Sequence, residues 1–265
     1  MRVARNTFLV EVDEQFVSPV INGLKLIIDS DFHPKVLATK VGRIHTLPVA
    51  IGSEYKNDSS LQVGDTIVFS HLVCQDNKRF SENVFFCAYH NIYAKIENNE
   101  LLPLEDVLFC DRIIGPDSNI GGMVIKGVVS NKCAKVFSAS KSVLGVGVLP
   151  GDVVFFTKDA NYEVEVLGKI LYKMHLRNII GVERDGKLVG IRGRLLVKNT
   201  TKLGSVAGVE KLYAQSTLQH GVVVAGNIDI PDGTLLTYFN GVATEIEWKG
   251  ERYSFIENRN IKYIV

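Results

Sequence analysis

The residues best suited to chemistry are two cysteine–histidine pairs, His71 with Cys74 and Cys87 with His90, each pair three residues apart. Two such pairs make up the donor set of a Cys2His2 zinc site. The runs around them read as strands, however, and on a strand residues three apart point to opposite faces. The sequence therefore argues against a metal. Cys110 and Cys133 complete no C-x-x-C pair. Few, widely spread cysteines fit buried thiols in a reducing compartment better than a disulfide frame. No G-x-S-x-G elbow, complete Walker loop, dinucleotide fingerprint or H-E-x-x-H occurs, and scattered acids define no paired-carboxylate site. The expectation is a chain with no catalytic activity and no cofactor.

Charge excludes further classes. The 30 basic and 29 acidic residues nearly cancel, leaving a net charge of +1 among 265 residues. No long run of like charges stands out, so neither nucleic acid nor an anionic membrane is an expected partner. Aromatic residues make up 9% and do not interleave with basic ones as a stacking platform would. The single Trp248, between Glu247 and Lys249, is expected to half-pack on its own sheet. Met1 to Gln15 carries Glu11, Asp13 and Glu14 and lacks the apolar core of a secretory signal. No segment approaches the roughly 20 apolar residues that span a bilayer. A soluble, cytoplasmic protein is expected.

The elements that must position any site are β-strands. Apolar runs are short and rich in Val, Ile, Phe, Leu and Tyr, and turn residues such as Pro150-Gly151-Asp152 and Pro231-Asp232-Gly233 bound them. No window of about 12 residues carries a helical stripe. Three landmarks then recur in one order. The openers are Thr7 to Glu11, Val107 to Asp111 and Arg194 to Lys198. The turn-and-strand units begin at Gly64, Gly151 and Asp232. The closing strands begin at Ile92, Ile179 and Ile261, so turn and closing strand lie 28, 28 and 29 residues apart. A further strand, at Gly42, Ala134 and Gly221, follows Leu9, Phe109 and Leu196 by 33, 25 and 25 residues. The longer first copy reads as a loop insertion. One large β-sandwich with accidental internal similarity is the alternative. The repeat predicts three small all-β domains, over residues 1–103, 104–188 and 189–265.

The second copy resembles the GroES-type co-chaperonins. Pro103 to Phe109 is similar to their opening strand, and Ile120-Gly121-Gly122-Met123-Val124-Ile125 to their mobile loop, Gly-Gly followed by three apolar residues. Leu149 to Phe155 resembles their Gly-Asp turn and strand, and Ile179 to Glu183 their last strand. In the first copy Val63 to Phe69 fits, whereas Asn22 and Lys25 interrupt the loop pattern around Leu24 and Leu26. The third copy's loop, Lys202 to Val209, lacks the Gly-Gly-apolar core.

The resemblance implies three tandem GroES-like small β-barrels and a chaperonin of the GroEL type as partner. Family members are single-domain subunits of a seven-membered ring that encloses a folding protein. A tandem chain would hold ring neighbours covalently, and two chains would close a pseudo-six-fold homo-oligomer. Gly121 and Gly122 would keep the loop mobile, and Met123, Val124 and Ile125 would enter an apolar groove on the partner, with Leu24 and Leu26 in the weaker first-copy loop. An ordinary core strand after a glycine turn is the alternative for these residues. The rival function is a non-catalytic structural or assembly protein that uses the barrel for oligomerisation.

Overall fold

Short apolar runs bounded by turn residues become strands, and in the computed structural model they do so with one recurring order. The structure describes residues 3–13, 20–21, 24–25, 40–55, 61–74, 76–115, 118–120, 123–125, 129–157, 160–199, 218–226, 229–239, 241 and 243–264. The strands are β1 (Thr7–Glu11), β2 (Val20–Ile21), β3 (Leu24–Lys25), β4 (Val41–Thr46), β5 (Thr66–Phe69), β6 (Arg79–Ser81), β7 (Val84–Ala88), β8 (Ile92–Glu97) and β9 (Glu100–Pro103). Next come β10 (Val107–Ile114), β11 (Ser118–Ile120), β12 (Met123–Ile125), β13 (Val129–Ala139), helix α1 (Lys141–Gly145), β14 (Val153–Phe156), β15 (Tyr162–Val166), β16 (Lys169–His175), β17 (Ile179–Arg184) and β18 (Lys187–Gly190). The last are β19 (Leu195–Asn199), β20 (Leu218–Ala225), β21 (Leu235–Phe239), β22 (Thr244–Trp248), β23 (Glu251–Ile256) and β24 (Ile261–Ile264).

The protein is all-β, with three main antiparallel sheets of matching order. The first runs β6-β7-β1-β4-β5-β8-β9, the second β15-β16-β10-β13-β14-β17-β18, the third β22-β23-β19-β20-β21-β24. Each ladder is open at both ends. Two compact units divide the chain. One comprises Met1–Arg112, Val136–Gly145 and Asn161–Leu176; the other comprises Ile113–Lys135, Val146–Ala160 and Arg177–Val265.

Register makes the three sheets comparable residue by residue. Gly42, Ala134 and Gly221 stand opposite Ile67, Val154 and Leu236. Gly64, Gly151 and Gly233 hold φ of +89°, +94° and +83°. Each is the third residue of a turn closed by a backbone bond: Asp65 N–H to Gln62 O, Asp152 N–H to Leu149 O and Thr234 N–H to Pro231 O. Only glycine takes that third position without strain. The third turn is thus anchored by Gly233, not by Asp232 as the sequence spacing suggested. Counted from the glycine, all three turn-to-closing-strand distances become 28 residues.

In the first unit, one face of the first sheet buries Phe8, Val10, Ile67, Phe69, Phe85 and Tyr89 in an apolar core. A second core joins the first sheet's Val68, Ala94 and Leu101 to Phe109, Val164 and Leu171 of the second. In the other unit, the third sheet's own core holds Leu195, Val197, Leu236, Tyr238 and Ile256. There a further core joins the second sheet's Phe155, Ile180 and Leu188 to Leu196, Ile246 and Phe255 of the third. Both joining cores use the same strands of the plan: β5, β8 and β9 meet β10, β15 and β16, while β14, β17 and β18 meet β19, β22 and β23.

Candidate functional site

Loop residues singled out by sequence fall partly within two small ribbons. Strand β11 pairs with β12 in the register Ser118–Ile125, Asn119–Val124 and Ile120–Met123. Strand β2 pairs with β3 as Val20–Lys25 and Ile21–Leu24. Each ribbon forms its own two-stranded sheet outside the three main sheets. Both lie at the same point of the plan, between the opener strand and the next main-sheet strand. The connecting residues are Gly121-Gly122 and Asn22-Gly23, dipeptides favoured in two-residue hairpins. These four residues, Leu26 and the third copy's loop at 202–209 lie outside the described residues. Met123, Val124 and Ile125 therefore belong to a hairpin strand, neither a strand of a main sheet nor an unstructured segment. A two-stranded ribbon has main-chain donors and acceptors on its outer edges, and it can bind by strand addition as well as by apolar contact.

The cysteine–histidine pairs do different work. Cys87 is buried in the first core, with Cys74 partly buried against it. Burial pushes the Cys74 thiol up to about 11 and raises Cys87 and Cys110 further. Thiols so raised are poor nucleophiles near neutral pH. His90 is exposed, while His71 turns to Tyr162, with Nδ1 2.7 Å from the phenol oxygen. Among the described residues no group of three or more His, Cys, Asp or Glu gathers as metal ligands would.

A polar network at the first joining core escaped sequence reasoning. Lys173 is buried, its ammonium 3.9 Å from the Tyr93 ring centroid and 5.9 Å from that of Tyr162. Its Nζ lies 2.8 Å from His175 Nε2, and His175 Nδ1 lies 2.8 Å from Asp106 Oδ1. An ammonium only donates, so Nε2 must accept and the ring proton sits on Nδ1, where it is donated to Asp106. Lys40 is also buried, 5.7 Å from the Tyr162 ring centroid, and burial holds its pKa below the usual lysine value. The Tyr162 hydroxyl oxygen accepts the His71 backbone N–H at 3.2 Å, and burial pushes its pKa up to about 12. Cations over ring faces are favourable where water is excluded. The signal was present in Lys169-Ile170-Leu171-Tyr172-Lys173, a strand whose alternate positions mix Leu171 with Lys173 on one face.

A separate pair stiffens the second sheet's turn. Arg184 donates through Nε and Nη2 to the two Asp152 carboxylate oxygens at 2.8 and 2.6 Å. Burial pushes the Asp152 pKa up, but Arg184 and the Leu149 N–H outweigh it and leave the carboxyl below its usual value.

Among the described residues no helix is long and apolar enough to cross a membrane. No family model matches the chain, and no curated protein matches it.

Proposed function

We propose that this chain is a non-catalytic, co-chaperonin-like binding protein that engages a GroEL-type chaperonin through its paired ribbons and helps enclose a folding client. In this reading the three sheets belong to tandem GroES-like domains, with the open ladders as incompletely bonded versions of that small barrel. One observation carries it. The ribbons β2–β3 and β11–β12 sit at the same point of the plan, on the residues that resemble the co-chaperonin mobile loop. A binding strand with apolar Met123, Val124 and Ile125 suits a groove on a partner. Each side chain buried there contributes roughly 1.5–3 kcal/mol before ordering costs. Two ribbons on one chain raise avidity without tightening either contact.

The test is co-migration of the protein with a chaperonin and ATP on gel filtration. Co-migration lost when Met123, Val124 and Ile125 are replaced by Ser supports the reading and its site. A folded protein that fails to bind the chaperonin of its own source sinks it and leaves the assembly role.

A further inference from the structure

The two joining cores differ at a matched position that leaves one of them with a cavity. In the first, Tyr162 opens β15 and stands opposite Lys173; in the second, Thr244 opens β22 and stands opposite Phe255. Lys40 and Lys132 also match. Each precedes the residue that pairs with the third residue of the turn strand, Val41 with Val68 and Cys133 with Phe155. Ser70 and Thr157 match as well, their backbone N–H groups donating to Asn91 O and Asn178 O just before the closing strands. In the first core the Tyr162 ring fills the space beside Lys40. It meets Tyr93 edge-to-face at 6.1 Å, lies 5.7 Å from the Lys40 ammonium, and its oxygen is 2.7 Å from His71 Nδ1. Lys40 is buried there. In the second core the matched place is a cavity of about 510 Å³, lined by Lys132, Phe156, Thr157 and residues 243–246. Lys132 is exposed beside it.

We propose that this cavity is a binding site for a phenol ring, which takes the place that Tyr162 holds in the first core. The side chain that Thr244 lacks is a ring of that kind, and the volume lies within the range of small-ligand sites. The lining has the mixed character such a ring needs. Ala243 and Ile246 are apolar, Thr157 and Thr244 carry hydroxyls that can bond a phenol oxygen, and Lys132 brings a cation. A ring seated there would cover Lys132 as Tyr162 covers Lys40, a contact that is favourable where water is excluded. Two sources carry this chemistry, a free small phenol and the tyrosine side chain of a partner. The inference does not depend on a chaperonin being that partner.

The experiment is titration of the full chain with p-cresol and, separately, with N-acetyltyrosine methylamide, read as NMR shifts of the Ala243 and Ile246 methyl groups. Saturable shifts at these methyls are expected with p-cresol. The saturated analogue methylcyclohexanol is expected to bind at least about 5-fold more weakly, for want of a π face. Thr244→Tyr supplies the ring from within the chain and should weaken p-cresol binding at least about 10-fold by occupying the space. Thr244→Phe serves as the second filling variant, and circular dichroism checks that each is folded. Either probe binding at these methyls supports the site: tighter binding of the tyrosine derivative assigns the ring to a partner's side chain, tighter binding of p-cresol to a free phenol. No saturable shift with either probe, equal binding of the saturated analogue, or unchanged p-cresol binding in a folded Thr244 variant would each overturn the proposal.

Discussion

The two joining cores use the same strands yet are filled by different chemistry. At the first, Lys173 sits over Tyr93, Lys40 lies near Tyr162, and Asp106 and His175 anchor the buried ammonium. At the second, the Lys173 position is held by Phe255, packed 6.3 Å from Phe155 and against the surface that Gly181 leaves open. Strand order thus fixes where a contact forms, while the residues at matched register positions decide what holds it. A buried cation anchored by two rings and a histidine tolerates few other arrangements, whereas an aromatic contact rests on area and fit.

The largest expected effect comes from emptying the aromatic contact. Phe255→Ala should cost about 3–5 kcal/mol in denaturant unfolding, because a buried ring leaves a cavity. Lys173→Met, which keeps much of the volume and removes the buried charge, should change stability by less than about 1 kcal/mol in either direction. Equal losses at both positions would break the contrast. Gly181→Ala comes next, at about 1–3 kcal/mol, because its Cβ would lie 2.2 Å from the Phe255 ring. The first sheet carries Ala94 at that place.

Asp152→Ala should cost about 1–3 kcal/mol by leaving Arg184 Nε and the Leu149 N–H without their acceptor, while Arg184 Nη2 keeps the Gly147 carbonyl. The pH dependence follows from the lowered carboxyl. Its stabilising contribution is present above the ordinary aspartate pKa and is lost as pH falls through the lower folded value. An acid titration of unfolding free energy should therefore lose a component in wild type that Asp152→Ala lacks. The smallest effect is chemical: Cys74, Cys87 and Cys110 should resist iodoacetamide at pH 8 in the native protein, as read by mass spectrometry of the digested product.

Much of the plan was legible because strand periodicity and turn glycines are local signals. The openers, the further strands and the three turns could be placed from residue type alone. The third turn falls at Pro231-Asp232-Gly233 as expected, but its spacing was counted from Asp232 because Asp232-Gly233 reverses the order seen in Gly64-Asp65, and only a positive φ shows which residue makes the turn. Ribbon strands at Ile120 and Met123 were foreseen as a loop, since a hairpin of three residues a side is too short for alternation to register. The Lys173 network was missed because Asp106, Tyr93 and Tyr162 reach Lys173 and His175 from distant places in the chain. Pairing across sheets is a tertiary fact that no local window carries.

The most direct test of the central claim is hydrogen–deuterium exchange of the protein with and without a GroEL-type chaperonin and ATP. The account predicts new protection at residues 118–125, with a weaker gain at 20–25, and little change in the main sheets. Unchanged exchange at both ribbons in a chaperonin-bound protein, or protection confined to the main sheets, would contradict it.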